Sequence, residues 1–385
     1  MRNLASIFAI VLVAACLRGQ NGASGDSRNC QSLSSQQANP ACTPALAPGG
    51  FSPLNLAENY YLTGNDWYEK GDLDKALDAF DQAIRIYPNL STAYWARGAI
   101  LDRKGEYDQA IADYSEAIQI DPHLAEAYNN RGIVWDEKGD WDKAISDYSE
   151  AILINPDLAD AFYGRGTSWY GKDEYDKAIA DYSEAIRLNP NYSVAYRLRG
   201  IAWDAKGEYP KAIADYGQAI RIDPKYARAY FSGGFTHYIH HKYQLAMKDF
   251  VSARQLDSKD AYAALGLAMA RMRSGVSGYS VALNKQAEAL GEGWPVPAVR
   301  FYAERLTAEQ LLAAAEDPDN GKQQKQLCEA EFYLGEWQLL HGMKSEAIGN
   351  FKKAQSEGRR NSYEYLGAVE ELKRLATTAS PRAAH

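Results

Sequence analysis

The sequence predicts an all-α solenoid, in which helix pairs stack one after another along the chain. Five consecutive segments between Ala57 and Tyr226 repeat the same pattern of aromatic, glycine, alanine and proline residues with a period of 34 residues. A period in this range indicates stacked repeats, each of which buries surface only against its neighbours. Such a fold predicts a binding surface and no active site. The residues that recur include Gly64, Gly98, Gly132, Gly166 and Gly200, and Pro88, Pro122, Pro156, Pro190 and Pro224.

The N-terminal residues have the pattern of an export signal. Arg2 precedes an apolar run from Leu4 to Ala15, which is too short to span a bilayer and matches the core of a signal peptide. Residues 1–15 are therefore predicted to be a signal peptide. The small residues ahead of Cys16 resemble the bacterial lipoprotein box, in which the cysteine is lipidated. An ordinary cleaved signal and a retained membrane anchor are the alternatives.

Residues 16–56 are predicted to form a flexible tether, because they are rich in Ser, Gln, Asn, Gly and Pro. An oxidising compartment would permit a disulfide between Cys30 and Cys42. Cys328 is expected to be a buried apolar residue. The sequence contains no C-x-x-C pair, so no zinc site is expected.

Each repeat contains two helical patterns. In the second repeat, Ala110, Tyr114 and Ala117 share one face of the second helix. Gly105 interrupts the helical pattern between the two helices. Pro122 ends the second helix, because a residue before proline avoids helical geometry. Residues 57–260 are predicted to form six such units, of which the sixth has lost its loop glycine and closing proline.

This pattern resembles the tetratricopeptide repeat, which implies a right-handed α-solenoid whose first helices line a concave face. Residues 261–327 are predicted to be connecting helices. The repeat spacing returns over residues 328–375, which are predicted to form a degenerate repeat followed by a helix that caps the stack. Residues 376–385 are predicted to be a disordered tail.

The second half of the chain is similar to the NlpI-type lipoproteins of bacterial envelopes. The similarity lies in the segments 297–302, 306–311 and 331–337, and in the Tyr363-Glu364-Tyr365 run. It implies an envelope adaptor that docks other proteins, which in that group are often peptidoglycan-processing enzymes.

The concave face is the candidate binding surface, because its residues vary between repeats while the packing residues recur. Exposed aromatic rings mixed with Asp and Asn suit a protein or an extended peptide. Ordinary surface residues without a fixed ligand are the alternative. The predicted groove residues are Tyr61, Trp95, Asn129, Tyr163, Arg197, Phe231, Tyr68, Asp102, Asp136, Tyr170 and Asp204.

A bulky residue recurs seven places after the leading aromatic residue of each repeat. Its helical spacing predicts a core position between the two helices, rather than a ring that stacks on a ligand. The residues are Trp67, Leu101, Trp135, Trp169 and Trp203. On this interpretation, the change Trp135→Ala costs about 3–5 kcal/mol.

An arginine precedes the first glycine in four repeats, and an aspartate follows it 16 residues later. We predict a ladder of ion pairs, because arginine buries its stem while presenting its fork to a carboxylate. A solvated aspartate beside a snorkelling arginine is the alternative. The pairs are Arg97 with Asp113, Arg131 with Asp147, Arg165 with Asp181 and Arg199 with Asp215.

The sequence favours an interaction protein over an enzyme. The net charge of -8 argues against a nucleic-acid partner, which needs a basic face. No nucleotide-binding glycine loop or nucleophile elbow is present, so no catalytic residue and no cofactor are expected. His237 and His241 share a helix face, as paired metal ligands do. However, no third ligand lies at a useful spacing, so no metal is expected.

The preferred hypothesis is an adaptor on the periplasmic face of the bacterial envelope, held to the membrane by a lipid anchor at Cys16 and bound to proteins or extended peptides. A soluble periplasmic or secreted protein is the alternative location. A self-associating scaffold, such as a homodimer, and an accessory subunit of an envelope enzyme are the alternative functions. In the latter, residues 276–327 would carry the chemistry.

Overall fold

The computed structural model describes residues 52–276, 278–360 and 362–379, and all regular structure within these ranges is helical. The predicted all-α architecture of tandem helix pairs is confirmed. The predicted signal peptide, Cys16, Cys30 and Cys42 lie outside the described residues. The chain divides into two compact units, Met1–Ser168 and Trp169–His385.

The first unit consists of helix pairs whose first helices contact one another in succession. We call these first helices the inner helices; they are α1, α3, α5 and α7 in the first unit. The helices are α1 (Pro53–Glu69), α2 (Leu73–Ile86), α3 (Ser91–Lys104), α4 (Tyr107–Ile120), α5 (Ala125–Glu137), α6 (Trp141–Ile154) and most of α7 (Ala159–Gly171).

The second unit also contains helix pairs, and it ends in a broader core. That core lies around Phe235, Phe250, Phe332 and Phe351, and its inner helices are α9 and α11. The helices are α8 (Tyr175–Leu188), α9 (Ser193–Ala205), α10 (Tyr209–Ile222), α11 (Ala227–Ile239), α12 (Tyr243–Leu256), α13 (Ala261–Arg273), α14 (Tyr279–Ala287), α15 (Val296–Tyr302), α16 (Ala308–Ala313), α17 (Asn320–Leu340), α18 (Lys344–Glu357) and α19 (Tyr363–Ala379).

The recurring residues of the sequence pattern are the packing residues within each pair. The ring of Tyr114 lies against Gly98, where an added Cβ atom would come within 2.9 Å of it. Gly105 turns the chain between α3 and α4 with a φ of 80°. Asp173 and His241 occupy the equivalent place with φ values of 61° and 60°, in the region that favours glycine.

The predicted arginine ladder is confirmed in the repeats where both partners lie in one unit. The Nε and Nη2 atoms of Arg131 donate to the two carboxylate oxygens of Asp147 at 2.8 and 2.7 Å. Its Nη1 donates to the Ser115 hydroxyl of the preceding repeat at 2.9 Å. One guanidinium therefore joins two helices of its own repeat to the repeat before it. Arg97 and Arg199 make the same forked pairs with Asp113 and Asp215.

The predicted core position is confirmed for Leu101, which is buried, whereas the tryptophans of the series are half-buried. Trp67 and Trp135 pack against the core clusters of their helix pairs from the side. A lysine from the second helix of the same pair covers each ring. Lys143 Nζ lies 4.2 Å from the ring centroid of Trp135, and Lys75 Nζ lies 4.3 Å from that of Trp67. The rings therefore lie at the edge of the helix pair, where a cation–π contact replaces full burial.

The helix ends differ from the predicted boundaries at three places. α1 begins at Pro53, inside the predicted tether, where the Ser52 hydroxyl accepts from the Asn55 amide. α17 begins at Asn320, eight residues before Cys328, because Asp319 accepts from the Lys322 amide at 2.9 Å. α19 continues to Ala379, into the predicted tail. At the first two places the end is set by a capping residue, which the repeat pattern does not contain.

The predicted capping helix packs on more than the last pair. α19 contacts α18 and α17, and it also contacts α11, the inner helix of the sixth pair. It therefore lies against an inner helix of the second unit.

Candidate functional site

The inner helices of the first unit do not present the open row of side chains that the sequence predicts. Tyr61 is 1% exposed and Trp95 is 0% exposed, and both belong to the core cluster of this unit. Asn129 is also buried. The expectation of exposure at these three positions is wrong, because the large rings pack into the core with their neighbours.

Several polar atoms of these inner helices are buried without a hydrogen-bond partner. They include both side-chain polar atoms of Asn65 on α1, the Trp95 Nε1 atom on α3 and the Asn129 Oδ1 atom on α5. The Asn129 Nδ2 atom donates to Asn130 Oδ1 at 3.2 Å. The Asn130 side chain also lies close to the Tyr114 hydroxyl, whose pKa it lowers against the larger effect of burial. The unpaired acceptor of α5 is therefore Asn129 Oδ1.

Burial raises the pKa of the Tyr61 hydroxyl, and the Asn65 side chain opposes this. The Asn65 side chain therefore lies close to the Tyr61 hydroxyl, although the two groups do not reach full hydrogen-bond geometry. Asn130 is not among the predicted groove residues. The consecutive asparagines in a buried stretch of α5 are the signal that could have indicated it.

Asp136 is already bonded within the first unit. It accepts hydrogen bonds from the Tyr148 hydroxyl at 3.1 Å and from the Ser168 hydroxyl of the next repeat at 2.7 Å. Burial raises its pKa to about 6, although these two bonds oppose the shift. The predicted role of Asp136 as a free groove carboxylate is wrong, because its hydrogen bonds join two repeats.

Asp204 repeats this arrangement in the second unit. Its Oδ2 atom accepts from the Tyr216 hydroxyl at 2.7 Å and from the Thr236 hydroxyl of the next repeat. Burial raises its pKa to about 7, against the effect of both bonds. The prediction of a free groove residue is therefore wrong here as well.

Four further predicted groove residues lie on inner helices within one unit or the other. Tyr68 is buried, with the Arg103 guanidinium 5.7 Å from its ring centroid. Asp102 and Tyr163 are half-buried. Tyr170 is half-buried beside Tyr175, with 5.7 Å between the ring centroids. Their binding role stays a prediction.

Arg197 and Phe231 face the C-terminal helix of the same unit. The Tyr363 ring of α19 lies 6.0 Å from the Phe231 ring and 5.0 Å from the Phe235 ring. Arg197 donates from Nε to the Tyr226 hydroxyl at 2.8 Å, and its charge lowers the pKa of Tyr363 against the larger effect of burial. The inner face of α9 and α11 is therefore occupied by the chain itself.

The histidines of the sixth pair contact other side chains of the second unit. His237 Nδ1 lies 2.9 Å from an Asp249 oxygen, and His241 Nδ1 lies 2.8 Å from the Tyr243 hydroxyl. Within the described ranges, no group of three or more metal-ligating side chains comes together. None of the helices in those ranges has the length and apolar character needed to cross a bilayer.

Family models match the repeats. A model described as TPR repeat matches residues 64–105, 103–135 and 205–239. A second, described as Tetratricopeptide repeat, matches residues 125–158 and 159–192. The chain therefore contains tetratricopeptide repeats, as its 34-residue pattern predicts. No curated protein sequence matches the chain at a significant level.

Solved structures share the architecture. A tetratricopeptide repeat protein from Parabacteroides merdae ATCC 43184 is 21% identical with a TM-score of 0.50, over 65% of this chain and 98% of that one. The Pseudomonas aeruginosa pilF protein is 18% identical with a TM-score of 0.50, over 55% and 97%. PilW, a type IV pilus biogenesis factor, is 15% identical with a TM-score of 0.51, over 54% and 96%. At these identities the likeness shows the fold alone.

Proposed function

We propose that this protein is a lipid-anchored scaffold of the bacterial cell envelope, which holds a partner protein against the inner helices of its first unit. Tetratricopeptide repeats support a protein–protein interaction scaffold. The envelope location is favoured by the N-terminal signal pattern and by Cys16. The similarity to NlpI-type lipoproteins suggests peptidoglycan-processing enzymes as partners.

The unpaired polar atoms of the first unit are the observation that carries this proposal. An unpaired buried polar group costs about 1–3 kcal/mol. An extended peptide alternates N–H donors with C=O acceptors. It would pair with the Asn129 acceptor and the Trp95 donor once the inner helices move apart, because both atoms are buried in the free protein. Binding would then supply the hydrogen bonds whose absence destabilises the free protein.

The test separates binding from folding by replacing Asn65 or Asn129 with leucine. Asn65→Leu removes two unpaired polar atoms, so we expect unchanged or higher thermal stability together with loss of the partner. Asn129→Leu also removes the hydrogen bond to Asn130, so there we expect loss of the partner with a small loss of stability. Partners are captured by crosslinking from envelope fractions and identified by mass spectrometry. Asn59→Leu, an exposed change on the same helix as Asn65, is the matched control and should retain the partner. Retention by all three variants would remove the inner helices from the proposal.

The anchor is tested separately, through Cys16. Labelling cells with a fatty-acid analogue should mark the wild-type protein and leave Cys16→Ser unlabelled, with the variant released from the membrane fraction. Membrane retention of the unlabelled variant would contradict a lipid anchor. Light scattering on the mature protein distinguishes a monomer from the alternative of a homodimer.

A further inference from the structure

One face of α19 follows one face of α11 along its length. Tyr363, Gly367 and Glu371 are spaced four residues apart and so form a single stripe on α19. Phe231, Phe235 and Ile239 form the matching stripe on α11. Both stripes run in the same direction, because Tyr363 contacts Phe231 and Phe235, whereas Gly367 lies against Ile239.

The first position of the stripe takes an aromatic ring. The Tyr363 ring packs against Phe231 and Phe235. Its buried hydroxyl lies close to the Ser232 and Tyr216 side chains. Ring and hydroxyl therefore both face side chains of the second unit.

The second position allows close approach. A Cβ atom at Gly367 would lie 2.7 Å from the Phe332 ring and 3.3 Å from Ile239 Cγ2. Only a residue without a side chain lets the α19 backbone come this near to both neighbours.

The third position takes a carboxylate. Arg273 of α13 is nearly buried and donates from Nη2 to Glu371 Oε1 at 3.0 Å. The same guanidinium binds Glu336 of α17 at 2.7 Å, and Arg374 holds the other oxygen of Glu371 at 2.6 Å. A nearly buried arginine thus binds the carboxylate from α19.

We propose that α19 is an intramolecular ligand of the inner face of α11 and of Arg273 on α13, and that this surface accepts a partner helix carrying an aromatic residue, a glycine one turn later and a carboxylate two turns later. The proposal deepens the proposed scaffold function by assigning a helical partner segment to the second unit. The partner helix would displace α19, so the second unit is closed until a competing helix is present. A tethered helix has a high effective concentration, which keeps the free protein in this closed state.

The test uses a labelled peptide of residues 362–379 as the competing helix, with fluorescence anisotropy as the readout on the full chain. Wild type should bind it weakly. Tyr363→Ala in the chain weakens only the tethered helix, so it should bind the peptide about tenfold more tightly. A peptide that carries the Tyr363→Ala change should not show this tighter binding. Tyr363→Phe keeps the ring, and Glu370→Ala removes only a pair with Lys373, so both should behave as wild type.

Equal binding by wild type and folded Tyr363→Ala would overturn the proposal. If circular dichroism shows that Tyr363→Ala is unfolded, hydrogen exchange on the wild-type protein decides the question. Amides of α19 should then exchange by local opening, faster than those of α17 and α18. Exchange of all three helices only through global unfolding would overturn the proposal. Neither result bears on the Asn65 and Asn129 test, which concerns the first unit.

Discussion

The arginine that precedes the first glycine of a repeat joins two repeats through a single guanidinium. Arg131 uses two donors for Asp147 and a third for Ser115, and the Tyr128 ring lies 5.7 Å from the guanidinium carbon. Asp147 is only 6% exposed. Because the carboxylate is buried, its loss of a partner should be far more costly than the loss of a surface pair.

Arg131→Leu should therefore destabilise the protein by about 3–5 kcal/mol, because it leaves the Asp147 carboxylate buried and unpaired. The double change with Asp147→Ala should recover much of this loss. Chemical denaturation of the two single variants and the double variant measures the coupling. Lys138→Leu is the control, since it removes only a pair with the exposed Asp108 and should cost under about 1 kcal/mol. Equal costs for the Arg131 single and double variants would show that the pair is not coupled.

The sequence predicted these ion pairs better than it predicted the groove. Arg131 and Asp147 recur at fixed positions, so their pairing follows from the helix geometry of one repeat. The burial of Trp95 and the bonding of Asp204 depend on neighbouring repeats and on which residues fill them. A pattern within one repeat does not contain that information.

At the scale of helices, the turn between the two members of a pair shows which sequence changes the fold tolerates. The turn residue is Gly105 in the second pair, and Asp173 and His241 adopt the same left-handed geometry in the fourth and sixth. A non-glycine residue there is strained by its Cβ atom. The fold accepts this strain because the helices on both sides fix the turn.

Asp173→Gly should stabilise the protein by about 0.5–1 kcal/mol, because it removes that strain while adding some conformational entropy to the unfolded chain. Its hydrogen bond from the Tyr175 hydroxyl is exposed, so losing it should matter little. Thermal unfolding checks the direction. Asp173→Ala, which removes the same bond and keeps a Cβ atom, should show no gain. A gain of the same size in both variants would mean that the turn is not strained.

The presence of α19 was predictable from the sequence, while the helix against which it packs was not. Tyr365, Val369 and Leu372 fall on one face of the predicted helix, and the sequence assigned α19 to the end of the stack. Its contact with α11 arises through Tyr363 and Gly367, and Glu371 binds Arg273 of α13. These three residues lie off that apolar face. A contact between residues more than a hundred positions apart leaves no periodic signal in either helix.

Across the whole molecule, an aspartate at one repeat position joins two neighbouring repeats in each unit. It is Asp136 in the first unit and Asp204 in the second. Asp136 has a pKa of about 6 and Asp204 of about 7, both raised by burial above the ordinary value of 3.8. A pKa that is higher in the folded state than in the unfolded state means that folding favours the protonated carboxyl. The stability linked to each group is therefore complete below the unfolded pKa and is lost as the pH rises through the folded value.

Between pH 5 and pH 8 the wild-type protein should lose stability at Asp204, on the order of 2–3 kcal/mol, because the folded carboxyl must ionise while buried. Asp204→Asn keeps an oxygen to accept from Tyr216 and Thr236 and cannot ionise, so its melting temperature should exceed that of wild type increasingly as the pH rises. Melting curves of both proteins across this range give the difference, in which the titration of every other group cancels. The melting temperature of Asp136→Asn should also exceed that of wild type as the pH rises. This difference should be smaller than for Asp204→Asn and should stop growing near pH 6. A difference between Asp204→Asn and wild type that stays constant from pH 5 to pH 8 would show that Asp204 keeps an ordinary pKa in the folded protein, and that its hydrogen bonds offset its burial.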